Sequence, residues 1–172
     1  MQMSEERKIA AAPAVVWAAL LDPEVLKASV PGCEELTGSA AEGFEAVVVQ
    51  KVGPVRARFN GTVHVTDMVE GESLVLNGEG KGGAAGFAKG LARVRLAPDG
   101  DGTVLSYEVE ASVGGKLAQL GSRIIDGFAR KMADSFFTRF QEAVEGPGEP
   151  AADTPEGEAP KKGWFKRIVG KD

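Results

Sequence analysis

Between residues 34 and 113 apolar side chains recur at every second position, and from Leu117 to Val144 they recur at every third or fourth. The first period belongs to strands and the second to a helix. Strands with one apolar face and a long helix with one apolar stripe each need a cover, and with little else in the chain they must cover one another. The strand-like runs are 34–37, 44–52, 55–68, 73–78, 87–97 and 103–113, separated by Gly53-Pro54, Glu70-Gly71, the glycines from Gly78 to Gly83, and Pro98-Asp99-Gly100-Asp101-Gly102. In the two clearest runs Val55, Ala57, Phe59, Gly61, Val63 and Val65 share a face, as do Leu105, Tyr107, Val109, Ala111 and Val113. Their other faces carry Arg56, Arg58, Asn60 and His64, and Ser106, Glu108, Glu110 and Ser112, so this sheet is covered on one side only.

An edge strand is expected near 3–9, then a helix opened by Pro13 and a second short helix at 24–28, halted by Pro31-Gly32. The closing stripe of Leu117, Leu120, Ile124, Phe128, Met132, Phe136, Phe140 and Val144 predicts one long amphipathic helix. Gly121 and Gly127 each cost about 1 kcal/mol against alanine inside it, so they are read as a bend or a close approach to the sheet. The expected fold is α+β, a curved antiparallel sheet of about six or seven strands wrapped around the long C-terminal helix. One helix cannot fill a strongly curved sheet, and the small inward residues Ala57, Gly61 and Ala111 leave further room. That predicts an apolar cavity, with a filled core as the alternative. Tyr107 is the one polar-tipped residue expected on the inward face, free to bond a ligand carbonyl or to satisfy itself against backbone.

Little in the sequence points to catalysis. Gly78, Gly80 and Gly83 fit G-x-G-x-x-G, but that pattern needs a helix directly behind it to meet a pyrophosphate, and the following residues read as another strand. His64 is the sole histidine and its alternation turns it outward, so neither a metal site nor a triad assembles around it. Cys33, the sole cysteine, lies in a Pro-Gly-Cys-Glu turn and reads as a structural thiol, which excludes an internal disulfide. Glu34-Glu35, Asp99 and Asp101 read as turn or surface acids.

The chain divides into a body at 1–145, an acidic stretch with prolines at 146–160, and a basic segment at 161–172. The last two cancel in charge and leave the net −5 on the body, which argues against nucleic acid as its ligand. In the last segment Trp164, Phe165, Ile168 and Val169 sit among Lys161, Lys162, Lys166, Arg167 and Lys171. Wound as a helix, the four apolar residues fall at roughly 0°, 100°, 40° and 140°, an apolar face beside a cationic one. Such a segment docks reversibly on an anionic membrane, with a protein groove as the competing partner. The first residues show no basic region followed by an apolar run, and the longest apolar stretch, 10–21, is too short to span a bilayer. The expected location is cytoplasmic, peripheral at the inner face of the membrane.

Four stretches in order carry a resemblance: Asp22-Pro23-Glu24 with Val30-Pro31-Gly32-Cys33-Glu34; Lys51-Val52-Gly53-Pro54-Val55 with Phe59-Asn60-Gly61; the run from Gly80 to Gly86; and the run from Gly114 to Gly121. They resemble the CoxG family of carbon monoxide dehydrogenase subunits, within the START-like (SRPBCC) helix-grip superfamily. The resemblance implies a helix-grip fold with an apolar pocket, no catalysis, and association with molybdenum hydroxylases of the carbon monoxide dehydrogenase type. Joined to the tail, it suggests a carrier for a respiratory quinone such as menaquinone. Phe59, Val63, Leu105, Tyr107, Val109, Leu117, Leu120, Ile124, Phe128 and Met132 would line the pocket, with no covalent cofactor and no metal. The alternatives are a recruitment subunit without a ligand and a START-like cyclase or hydrolase.

Overall fold

Seven strands build the main sheet of the described residues: β1 (Gln2–Ile9), β2 (Cys33–Ser39), β3 (Gly43–Val52), β4 (Val55–Val69), β5 (Ser73–Lys81), β6 (Phe87–Asp99) and β7 (Gly102–Gly114). The computed structural model describes residues 1–146, and the backbone at 160–162 and 164–169. Strand order is β1-β7-β6-β5-β4-β3-β2, with every neighbouring pair antiparallel. The meander from β2 to β7 follows from its short turns, and β1 adds at the β7 edge because it precedes the two small helices.

The helices are α1 (Pro13–Leu20), α2 (Pro23–Ser29), α3 (Lys116–Gln119) and α4 (Ser122–Glu145). Proline opens both α1 and α2, and Asp22 caps α2 by accepting a 2.9 Å hydrogen bond from the Glu24 backbone N–H. The expected single long helix is two helices. Gly121 takes φ +89°, a left-handed conformation that ends α3 and starts α4 in a new direction, so it breaks the helix where a bend was expected. Gly127 does not mark a close approach: it is exposed, and a Cβ added there would meet nothing within 4 Å.

Register aligns the inner-face residues into rows across the sheet. Leu96 pairs with Leu105, Leu74 with Val94 and Val94 with Tyr107, while Val65, Leu76, Ala92, Val109 and Met3 form the next row. These larger side chains meet the C-terminal half of α4, where Phe137 and Phe140 are 7% and 0% exposed, with Val16 and Leu20 of α1 completing the cluster. Phe136 stacks on Phe140 at 5.7 Å and meets Phe137 edge-on at 5.1 Å. The far end of α4 is tied to β1 as well. Gln141 Nε2 donates to the Lys8 carbonyl at 3.0 Å, and the Ala10 N–H donates to Glu145 at 2.8 Å.

The tail departs from expectation. Its backbone pairs β8 (Pro160–Lys162) with β9 (Trp164–Val169) as a separate antiparallel pair, so the helical grouping of Trp164, Phe165, Ile168 and Val169 does not describe it. Twelve residues rich in aromatic and β-branched types are too few to hold an isolated helix in water. The side chains of this segment, and most of the 146–160 stretch, lie outside the described residues.

Because Phe140 is wholly enclosed, Phe140→Ala is expected to cost about 3–5 kcal/mol in urea unfolding. A loss under about 1 kcal/mol would mean that the cluster around it is not the fold's main anchor.

Candidate functional site

Toward the other end of the inner face side chains shrink. One row reads Ala46, Gly61, Gly80, Ala88, Val113, and its neighbour reads Phe44, Val63, Gly78, Gly90, Ala111. A Cβ built on Gly61 would meet only Glu79 O at 3.5 Å and Ala46 O at 3.9 Å; on Gly78, only Val63 Cγ2 at 3.6 Å and Thr62 O at 3.7 Å; on Gly80, only Phe59 Cβ at 3.9 Å. All these neighbours belong to the sheet. No atom of α4 comes within 4 Å of those positions, so helix and sheet do not close on one another above the three glycines. None of the three has positive φ, so a Cβ is excluded here by neither backbone nor contact.

The N-terminal half of α4 is the other wall. Ile124 is 40% exposed, and Ile125, Phe128 and Met132 are half-buried, unlike Phe137 and Phe140 further along. The β3–β4 turn leans on this end, since a Cβ on Gly53 would lie 3.3 Å from Ile124 Cγ2 and 3.9 Å from Leu120 Cδ1. Phe59 directs its ring over Gly82, where a Cβ would fall 2.6 Å from Cε1. Of the ten residues expected to line a pocket, Phe59, Val63, Leu120, Ile124, Phe128 and Met132 therefore border the loosely filled part. Val109 is half-buried against the core, while Leu105, Tyr107 and Leu117 are 0%, 5% and 3% exposed, Leu105 and Tyr107 within the main packed cluster.

Tyr107 uses its hydroxyl internally. It donates to Glu5 Oε1 at 2.8 Å, and its ring stacks on Phe137 with centroids 5.2 Å apart. Arg7 bonds Glu5 at 2.9 Å, pairs with Asp134 of α4, and sits 5.2 Å from the Phe137 ring centroid. Sequence reasoning missed this polar knot. Its signal was available, since Met3, Glu5, Arg7 and Ile9 alternate on the inward face of β1 with two opposite charges in the middle. Burial disfavours the Arg7 charge, but hydrogen bonds to Asp134, Glu5 and Tyr107 outweigh it and raise its pKa. Burial, then the bond and charge of Glu5, pushes the Tyr107 phenol up to about 12.

The remaining candidates fit a sheet without chemistry. His64 is exposed on the outer face, and the Gly78–Gly83 pattern runs through a hairpin into β6. Cys33 donates to the Glu35 carbonyl at 3.3 Å, and burial raises its pKa, which suppresses the reactive thiolate. Among the described residues no group of three or more His, Cys, Asp or Glu could hold a metal ion. Three depressions of about 350, 700 and 440 Å³ lie beside polar residues such as Asn60, His64, Lys89, Arg93 and Glu108, and the first two also reach Gly61 and Gly78.

The knot is open to direct titration, because Tyr107 is the chain's one tyrosine. Its phenolate absorbance is expected to emerge near pH 12 in the folded protein and near pH 10 after unfolding. A raised folded value favours the native state below the unfolded pKa, so this contribution is lost as pH rises from about 10 to about 12. Titration of folded protein near 10 would show that Glu5 does not hold the hydroxyl.

Among solved structures, a conserved protein from Geobacillus kaustophilus is 26% identical, with 84% of this chain and 95% of that one covered at a TM-score of 0.78. A protein from Chromobacterium violaceum is 16% identical over 84% and 98% of the two chains at 0.65. A START superfamily protein from Mycobacterium smegmatis is 15% identical over 84% and 97% at 0.63, and these last two show likeness of fold. No curated protein matches the chain. The seven-stranded antiparallel sheet with its long C-terminal helix is the START-like helix-grip arrangement. The model of the CoxG family of carbon monoxide dehydrogenase subunits matches residues 6–145, and the chain belongs to that family.

Proposed function

We propose that this protein is a non-catalytic carrier that holds a respiratory quinone, such as menaquinone, between the glycine-floored part of the sheet and the N-terminal half of α4. It would serve a molybdenum hydroxylase of the carbon monoxide dehydrogenase type, and membership of the CoxG family supports that partner. The observation that carries the reading is that no atom of α4 comes within 4 Å of a Cβ at Gly61, Gly78 or Gly80, on the face that also carries the half-buried Phe59 and Val63, while Phe128 and Met132 of α4 are half-buried too. Natural cores close to crystal-like density, and three adjacent glycines in strand centres weaken a sheet unless something else needs the room. The wall residues named offer apolar surface only. A polyprenyl chain suits such a wall, because each buried methylene contributes about 0.8 kcal/mol and no polar group is left without a partner.

The carrier role follows from a transport problem. A soluble dehydrogenase must deliver electrons to a quinone whose tail confines it to the bilayer, and a protein that shields that tail from water bridges the two. No proton transfer or nucleophile is asked of the protein, and the polar groups of the interior are spent on the Glu5–Arg7–Tyr107–Asp134 knot. Among the described residues no helix is long and apolar enough to cross a membrane. Membrane attachment is assigned to the 161–172 segment, with five bases among four large apolar residues, as a peripheral contact at the inner face of the membrane.

Solvent extraction of the purified full chain, followed by mass spectrometry, is expected to release a stoichiometric quinone. Gly78→Leu should abolish retention while keeping or raising the melting temperature, since the new side chain fills existing space. A chain that never carries quinone, or a variant that retains it equally, would sink the carrier assignment. Phe128→Ala should cost well under the Phe140→Ala change in unfolding, about 1 kcal/mol, and weaken quinone retention. Deleting 161–172 should lower sedimentation with anionic vesicles at least tenfold and leave thermal unfolding unchanged; equal sedimentation would count against the tail.

A further inference from the structure

An antiparallel meander places alternate turns at opposite ends. The β3–β4 turn, the β5–β6 turn and the β7–α3 connection share one end and touch: a Cβ on Gly86 would lie 2.0 Å from Gly114 O, and Gly53 lies against Leu120 and Ile124. The β2–β3, β4–β5 and β6–β7 turns share the other end. Charge divides between these turns, with Glu79 and Asp126 directly flanking the basic stretches. The stretches 51–57, 80–88 and 113–125 at the first end contain Lys51, Arg56, Lys81, Lys116 and Arg123 and no acid. The stretches 39–43, 67–72 and 99–102 at the second contain Glu42, Asp67, Glu70, Glu72, Asp99 and Asp101 and no base.

The five bases are exposed, and among the described residues none is in an ion pair; Arg58, a little further from the turn, is already held by Glu34. The basic end also shows Phe87 and Ile124, 43% and 40% exposed, beside the loosely filled part of the interior. The acidic end exposes Met68 and Val69 at 46% and 49%, but its carboxylates would be repelled by any anionic layer. The protein as a whole is acidic at −5, so a clean basic end on it is a local feature rather than a reflection of composition.

We infer that the basic end of the domain itself lies on an anionic phospholipid surface, with the exposed Phe87 and Ile124 facing the bilayer and the acidic turns facing water. The bases surround an apolar rim on three separate turns instead of forming a fork about one point. A fluid layer of phosphate headgroups satisfies such a ring in any rotation, and Phe87 and Ile124 enter the layer between them. An acidic protein would need fixed counter-charges matched to each turn. The inference rests on the carrier reading for the purpose of that orientation, while the charge separation stands without it.

The test uses the full chain with Cys33→Ser and one new cysteine, Ala84→Cys in the β5–β6 turn or Asp101→Cys in the β6–β7 turn, labelled with a polarity-sensitive fluorophore. On vesicles of phosphatidylcholine with phosphatidylglycerol the Ala84→Cys label should shift to the blue and the Asp101→Cys label should not. Lys51→Gln with Lys116→Gln should weaken partitioning by about fivefold for each base and leave melting and quinone content unchanged. Vesicle-bound protein with both labels silent would assign docking to the tail alone and overturn the inference, as would a shift at Asp101→Cys or unchanged partitioning. Loss of dehydrogenase binding by the paired variant with unaltered vesicle binding would overturn it in favour of an acidic protein partner. Absence of quinone with the orientation intact would overturn the carrier reading only, whereas retained quinone with the orientation lost would overturn this inference only.

Discussion

The C-terminal half of α4 holds the fold, through Phe137 and Phe140 pressed against β1 and β7 and a polar knot that pins Arg7 to Asp134 beside them. Burying two phenylalanines contributes about 1.5–3 kcal/mol each, and an aromatic pair adds about 0.5–1.5 kcal/mol beyond area. Everything else is arranged around that fixed end. With the helix secured there, its N-terminal half need not pack tightly, and it meets the sheet over rows in which glycine and alanine predominate. The grip is firm at one end and loose at the other by virtue of side-chain size alone.

The polar knot strengthens this division. Glu5, Arg7 and Tyr107 place charge and hydroxyl on the inner face of the sheet, where they bond one another and the helix and leave only Arg7 Nε without a partner, so they hold the anchored end. Replacing one member would strand the others in a low-dielectric setting, which is why such networks fix one arrangement. The aligned turns then give the two ends opposite charge. Firm end with acids and loose end with bases is a polarity of packing and of electrostatics along the same axis.

Much of the fold was legible because alternation and turn chemistry are local. The runs at 44–52, 55–68 and 103–113 lie within β3, β4 and β7, and Pro13 opens the first short helix as expected, while Pro23, read as the end of that helix, opens the second. The glycine conformations were not legible. Gly121 breaks the closing helix and Gly127 does not touch the sheet, and a helical wheel cannot tell those outcomes apart. The tail was read as a helix from the spacing of four apolar residues, but a short aromatic and β-branched segment pairs as strands equally well. At the candidate site, Phe59, Val63, Leu120, Ile124, Phe128 and Met132 were expected from facing direction alone. Tyr107 was found too, but its partner Glu5 lies more than a hundred residues earlier in the chain, and only the β1–β7 register brings them together.

By itself the sequence determined the elements, their inward faces and the need for one helix to cover one sheet, because backbone geometry fixes periods of two and 3.6 in every context. Tertiary structure decided which stretch of that helix is tightly held. It also decided that small residues on five separate strands fall into common rows, and that basic turns far apart in the chain collect at one end. Those are consequences of strand register and turn placement, which set distances between residues that no local pattern relates.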